Sequence, residues 1–277
     1  MKKWIEGRNF FCVFDSISDM TKYCKNTPNH PSFYARSSKE NDYSFTHTKS
    51  FEEAEELISR GWEEGYKKLT DNLKDREVDE EIQNKRYVPK TDVEGFAPCV
   101  PHVIIGRPDT MVNAEFHPKK FKIVDIIVNI GVNGGTSTED IINRGIVVLN
   151  YISQLESAGY RCNLYVARCG IESGESVFFL TKVKESSEPL SIKRLAFPLI
   201  HPSMNRRFMF RILETLPVCN EWCYGYGRTT DVNDKVLYKL YRKSFIFPSL
   251  NTISYCEPIT YIKKVKKWNN DTNTTTD

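Results

Sequence analysis

One stretch constrains the fold more than any other. KIVDIIVNIG, residues 122–131, is almost continuously apolar and rich in β-branched residues. That composition belongs to a strand buried on both faces. A loop, VNGGTST, follows it, and then a segment with Ile141, Ile142, Ile146, Val148, Leu149, Ile152 and Leu155 at helical spacing. Thr136 and Glu139 are placed for a capping box at its start, and Gly159 for a left-handed residue just past its end. YRCNLYVARCG then reads as a second strand, and SVFFLTKVK, after the turn IESGE, as a third. Strand, helix, strand, hairpin strand implies a βαβ unit. The expected core is therefore a mostly parallel sheet with an antiparallel addition.

The flanking regions are less regular. NFFCVFDS reads as a short strand and SISDMTKYCKN as a helix capped by Ser16 or Ser18. Residues 26–49 are rich in Pro, Asn and Ser and read as loop. Ser50 and Glu53 form a capping box at the head of an acidic amphipathic helix, residues 50–75. From Asp71 to Thr91 the chain is charged and poorly periodic, either a helix extension or a linker. VPHVIIG, broken up by prolines, reads as an edge strand. SMNRRFMFRILETL reads as a helix that ends before Pro217, FIFPSL as a strand, and EPITYIKKVKKW as a basic helix. The expected division is a mixed, largely helical region over 1–92, an α/β domain over 93–268 and a disordered tail over 269–277.

The phosphate-binding reading of the central loop fails on chemistry. A P-loop requires a lysine to reach the terminal phosphates, and VNGGTST has none. The dinucleotide fingerprint GxGxxG is also absent, because the loop reads GVNGG. In element order the segment resembles a von Willebrand factor A domain, a three-layer Rossmann-like fold. In that family an acidic, hydroxyl-bearing DxSxS loop after the first strand holds Mg²⁺ or Mn²⁺ through oxygen ligands. Here the three DxSxS positions fall on Asn129, Gly131 and Asn133, none of them an acid or a serine. The candidates for residual cation binding are Asn129, Asn133, Thr136 and Ser137. Thr136 and Ser137 serve equally well as helix caps. The expectation is that no cofactor is required, with Mg²⁺ as the alternative.

FDSISDM, SFTHTKSFEEAEELISRGWEEG, PHVIIGRPDTMVN, LESAGYRCNLYV, KRLAFPLIHPSMNRRFMF and YGYGR span most of residues 10–230. Through them the chain resembles a family of uncharacterised proteins from phages and prophages of Gram-positive bacteria. That resemblance implies an origin and a degenerate von Willebrand A-like fold. It implies no chemistry.

Charge is uneven along the chain. Residues 1–95 carry 16 basic and 19 acidic side chains, and residues 96–277 carry 23 and 17. Pro189 to Leu213 contains Lys193, Arg194, Arg206, Arg207 and Arg211 without one acid, and the C-terminal region adds Lys263, Lys264, Lys266 and Lys267. Those arginines, with Tyr224, Tyr226 and Arg228 of the YGYGR loop, are the candidate residues for binding nucleic acid or a partner protein. The competing reading is a solvated surface and a loop whose tyrosines cover the core.

Catalytic constellations are thin. No HExxH, HxxxH or GxSxG occurs. The eight cysteines form no CxxC pair, and several lie in strand-like runs, as buried thiols do. Cys219 and Cys223 are the nearest pair and would need further ligands to hold zinc. A thiol site would need Cys169 or Cys223 beside His201. No run of 18 apolar residues is present, and the start MKKWIEGRNFF lacks the apolar core of a secretory signal. The resulting expectation is a non-enzymatic interaction or structural protein. It would bind a protein partner and no membrane, in the host cytoplasm or associated with the virion. The alternative is a nucleic-acid-binding protein that uses the basic C-terminal half.

Overall fold

The structure, a computed structural model, describes residues 1–35, 37–40, 42–72, 87–116, 122–218, 222, 225–231 and 244–274. Its centre is a mixed, largely parallel sheet in the order β1-β2-β8-β7-β6-β10. The strands are β1 (Lys2–Glu6), β2 (Asn9–Phe14), β6 (Lys122–Asn129), β7 (Tyr160–Glu172), β8 (Glu175–Lys184) and β10 (Phe245–Phe247). The pairs β2–β8, β6–β7 and β6–β10 are parallel, while β1–β2 and β7–β8 are antiparallel. The short β9 (Arg228–Thr229) adds to β7 beyond the end of β6.

The βαβ unit forms as its pattern predicts. β6 is buried from Ile126 through Asn129. α6 (Thr138–Ser157) crosses to β7, which pairs with β6 from Lys122↔Tyr160 to Asn129↔Ala167. The cap of α6 falls one residue later than expected: Ser137 Oγ accepts from Asp140 N–H at 3.0 Å. Gly159 takes φ +89° just after the helix. The β7–β8 hairpin turns on Ser173 and Gly174, both at positive φ, the backbone that matches strand twist. α6 is buried nearly all round from Arg144 to Ile152, because α7 (Ile192–Ile200) lies across it. A Cβ on Gly145 would sit 1.9 Å from Ile200 Cγ2, so the two helices meet there backbone to side chain.

Alternation along the strands defines two cores. Phe10, Cys12, Phe14, Ile126, Val128, Leu164, Val166, Val177 and Phe179 face the helical layer. Phe11, Ile127, Tyr165, Cys169, Phe178, Leu180 and Ile246 face the other way. There Trp4, Phe11 and Phe178 stack across three strands, with centroids 4.8 and 5.2 Å apart.

Several expectations are corrected. The N-terminal region does not stand apart, because β2 lies inside the central sheet against β8. The helix expected over 50–75 is two: α3 (Phe51–Arg60) and α4 (Glu63–Asn72). Gly61, at φ +89°, ends the first with its N–H on Leu57 O. Of the charged stretch 71–91, residues 73–86 lie outside the described residues, while Tyr87–Asp92 form β3. β3 pairs with β5 (Met111–Phe116), which also pairs with β4 (Ala97–Pro98), so a small second sheet straddles residue 92. VPHVIIG is not a strand. Val100–Ile104 form the helix α5, with Pro101 in its first turn where a fixed φ favours helix.

The final helix, α9 (Pro258–Thr274), runs past the point where a disordered tail was expected. Asn269 anchors it: its amide accepts from Ile246 N–H at 2.9 Å and donates to Ile246 O at 2.8 Å. The described part of the loop expected over 26–49 contains a short helix, α2 (Tyr43–Thr46). After α7 the chain winds through six π-helical residues, Met204–Met209, into α8 (Phe210–Leu213). α1 (Ile17–Asn26) is capped by Ser16, whose Oγ accepts from Asp19 N–H at 3.1 Å. Among the described residues, no helix is long and apolar enough to cross a membrane.

Candidate functional site at the carboxyl edge of the sheet

β6, β7 and β10 run in one direction, so the loops after β6 and β10 emerge at one edge. That edge is where open α/β sheets commonly bind their ligands. Asn129, the last residue of β6, is fully buried. Its Nδ2 donates to Thr230 O at 2.8 Å and Asp231 Oδ1 at 2.9 Å, and its Oδ1 accepts from Gly131 N–H at 3.0 Å. Gly131 has no room for a side chain, since a Cβ would lie 2.8 Å from Thr229 Cγ2. Asp231 is buried and accepts from Ser249 N–H at 2.7 Å, from Ser249 Oγ at 3.4 Å and from Thr252 Oγ1. Arg144 reaches from inside α6 to donate to Asn129 O at 2.9 Å. Burial lowers the Arg144 pKa, and the charges of Tyr261 and Asp231 work against that shift. One carboxylate, one amide and one guanidinium thus tie together the loops after β6, β9 and β10.

Above this base the loop tip is open. Asn133, Gly134, Gly135 and Ser137 are exposed, and Thr136 is half-buried. A Cβ on Gly134 or Gly135 would meet nothing within 4 Å. The tip is held from behind: Thr136 N–H donates to Asn133 O at 3.0 Å, Asn133 N–H to Asn251 Oδ1 at 3.4 Å, and Arg206 Nη2 to Gly134 O at 3.4 Å.

The four cation candidates do not converge. The Asn129 side chain is spent on the buried base, Ser137 Oγ on the helix cap, and Asn133 stands exposed at the tip. The one carboxylate at the base already accepts from four donors, with the Arg144 guanidinium close by. A hard dication wants several free oxygens and net negative charge, so this set does not fit Mg²⁺. Among the described residues, no group of three or more His, Cys, Asp or Glu could hold a metal. Cys219 and Cys223 lie outside the described residues.

The acid-free stretch is not a basic face. Arg206, Arg207 and Arg211 are 5%, 0% and 2% exposed. Their donors hold Thr27, Asn29, Ser38, Glu40, Phe45, Thr46 and Thr48 against the helical layer. Arg207 donates to Thr48 Oγ1 (2.5 Å), Ser38 O (3.0 Å), Glu40 O (3.3 Å), Thr46 Oγ1 (3.0 Å) and Thr48 O (2.8 Å). Arg211 donates to Cys24 O at 3.0 Å, to Thr27 O, to Asn29 Oδ1, and to Glu214 Oε2 at 3.3 Å. Arg206 donates to Phe45 O at 2.6 Å and lies 4.3 Å over the Phe45 ring. A sequence signal for this existed: MNRRFMFRIL is apolar on every side of its arginines, as a fully buried helix is.

Of the other candidates, Lys193 and Arg194 are exposed, with Lys193 paired to Glu63 at 2.9 Å and Arg194 3.9 Å from Glu188. Tyr226 belongs to the core side: its ring stacks on Phe210 at 3.8 Å. Its hydroxyl donates to the buried Glu214 at 2.8 Å and accepts from Ser37 N–H at 2.8 Å. Arg228 is exposed on β9, and Tyr224 lies outside the described residues. Sequence reasoning missed Asp231, Arg144 and Arg168. Arg168 is buried, donates to Tyr226 O at 2.5 Å and sits 5.0 Å over Phe210, and burial lowers its pKa to about 10.

The Cys169 form of the thiol reading is corrected as well, while Cys223 lies outside the described residues. Cys169 faces the second core, whereas His201 packs on Phe197 and Trp62 in the helical layer, so the sheet separates them. Burial pushes the Cys169 pKa well up and the His201 pKa down to about 3.

The chain is a member of the family described as domain of unknown function DUF7192, which matches residues 3–266. No curated protein and no solved structure matches the chain.

Proposed function

We propose that the chain is a phage- or prophage-encoded, non-enzymatic interaction protein. Its von Willebrand A-like domain presents the loops at the carboxyl edge of the sheet to a protein partner, in a virion or packaging assembly. The observation that carries this reading is the contrast between tip and base. An exposed Asn-Gly-Gly tip, residues 133–135, stands on the hydrogen-bonded base of Asn129, Asp231 and Arg144. A loop already held in place loses little entropy when it binds, which favours recognition. The strand, loop, helix, strand and hairpin order supports the von Willebrand A-like reading.

The test starts with protein purified from its natural host cell without nuclease. Asn133→Arg/Thr136→Arg is compared with the unmodified chain on a sizing column at low and high salt. A protein that co-elutes with the unmodified chain and is lost by the variant supports the proposal. Equal retention by both chains, or no partner with either, overturns it. The nucleic-acid reading has lost Arg206, Arg207 and Arg211 as donors. A 260/280 nm absorbance ratio that falls steeply as salt rises would restore it.

A further inference from the structure

The small sheet β3-β5-β4 and helix α5 form an arm in which no residue from Lys90 to Asn113 is buried. Its polar side is nonetheless closed. Asp109 accepts from Thr91 Oγ1 at 2.7 Å and from Arg107 at 2.9 and 3.1 Å, and lies 3.3 Å from His102 Nδ1. Lys90 pairs with Asp92 at 3.3 Å. The arm's large apolar side chains are open: Val93, Phe96, Val100, Val103, Ile104 and Ile105 are 65%, 74%, 58%, 52%, 77% and 67% exposed. Val100, Val103 and Ile104 share one face of α5. Large apolar side chains scattered singly need no account, but six within thirteen residues do.

We propose that this arm is a self-association surface, covered by the same surface of a second copy of the chain. Two arguments select that occupant. The first is area. Taking about 100 Å² of apolar surface for each such side chain when fully exposed, the six offer on the order of 400 Å² per chain. A specific interface of standard size buries about 800 Å² per partner, and homodimer interfaces are roughly 65% apolar. The arm supplies most of that from one contiguous stretch. The second is charge. In a two-fold pair the residues near the axis meet their own copies, so a surface that pairs with itself is best kept free of charge at its centre. Between Val93 and Gly106 the only charged residue is Glu94. A surface shaped for a charged partner would carry complementary charges there.

The experiment is sedimentation equilibrium of the full-length chain, from low micromolar to hundreds of micromolar concentration. The expected mass is twice 32.2 kDa at the upper end. Val100→Glu/Ile104→Glu should return it to 32.2 kDa with an unchanged circular dichroism spectrum. Phe96→Lys, outside the helix, should do the same if the first variant misfolds. A single 32.2 kDa species throughout, or a doubled mass that neither variant alters, overturns the proposal. The loop at residues 130–137 is untouched in these variants, so the result is independent of partner binding there.

Discussion

Replacing Arg207 with alanine should destabilise the fold by about 2–4 kcal/mol. The figure follows from which acceptors are stranded. Arg207 makes five hydrogen bonds and is 0% exposed. Glu40 is exposed, so water can replace the bond to its carbonyl. The hydroxyls of Thr46 and Thr48 can reorient, since they also bond Asp42 O, Thr48 O and Ser203 Oγ. The carbonyls of Ser38 and Thr48 belong to fully buried residues; that of Thr48 keeps Thr46 Oγ1 as a donor at 2.9 Å, while that of Ser38 loses Arg207. Each buried unsatisfied acceptor costs about 1–3 kcal/mol, and the cavity left by the side chain adds to that. Arg207→Lys should fall between, because a point charge cannot fork to five acceptors. The assay is urea denaturation followed by tryptophan fluorescence, with amide hydrogen exchange over residues 42–49. Exchange there should rise before global unfolding. An alanine variant within about 1 kcal/mol of the unmodified chain, with unchanged exchange at 42–49, would refute the reasoning.

Asp231→Ala should cost about 3–5 kcal/mol by denaturant midpoint, since it strands Asn129, Ser249 and Thr252 and leaves Arg144 without its nearby charge. It should also weaken partner binding at the loop tip. His201 is held neutral, with its pKa lowered to about 3 by burial. The unfolded chain therefore binds more protons below about pH 6.5, and stability should fall as pH drops from there toward 3. The slope should approach about 1.4 kcal/mol per pH unit in that window, and His201→Leu should flatten it in denaturant titrations at several pH values. Burial raises the thiol pKa of Cys12 and Cys162 to about 12 and pushes those of Cys24 and Cys169 up as well. Alkylation of the native chain, mapped by peptide mass, should spare these four while modifying the half-buried Cys99 and Cys256.

The elements that follow from neighbouring residues were legible in the sequence. β-branched residues, a hydroxyl cap at the head of the helix (expected at Thr136, formed one residue on by Ser137) and glycines at 159 and 174 specify β6, α6, β7 and the β7–β8 turn through interactions a few positions apart. The amphipathic pattern after Ser50 was equally clear, although Gly61 and Trp62 split it into two helices. Position in space was not legible. β2 pairs with β8, Arg207 bonds Ser38 across 169 residues, and Asn129 meets Asp231 across 102. Composition marked Arg206, Arg207 and Arg211 as surface charge, because a guanidinium is costly to bury alone. Only the tertiary structure brings a polar, proline-rich loop over them with enough carbonyls and hydroxyls to offset that cost. The same long-range closure turns Asp231, one acid among 36 in the chain, into the anchor of the candidate site.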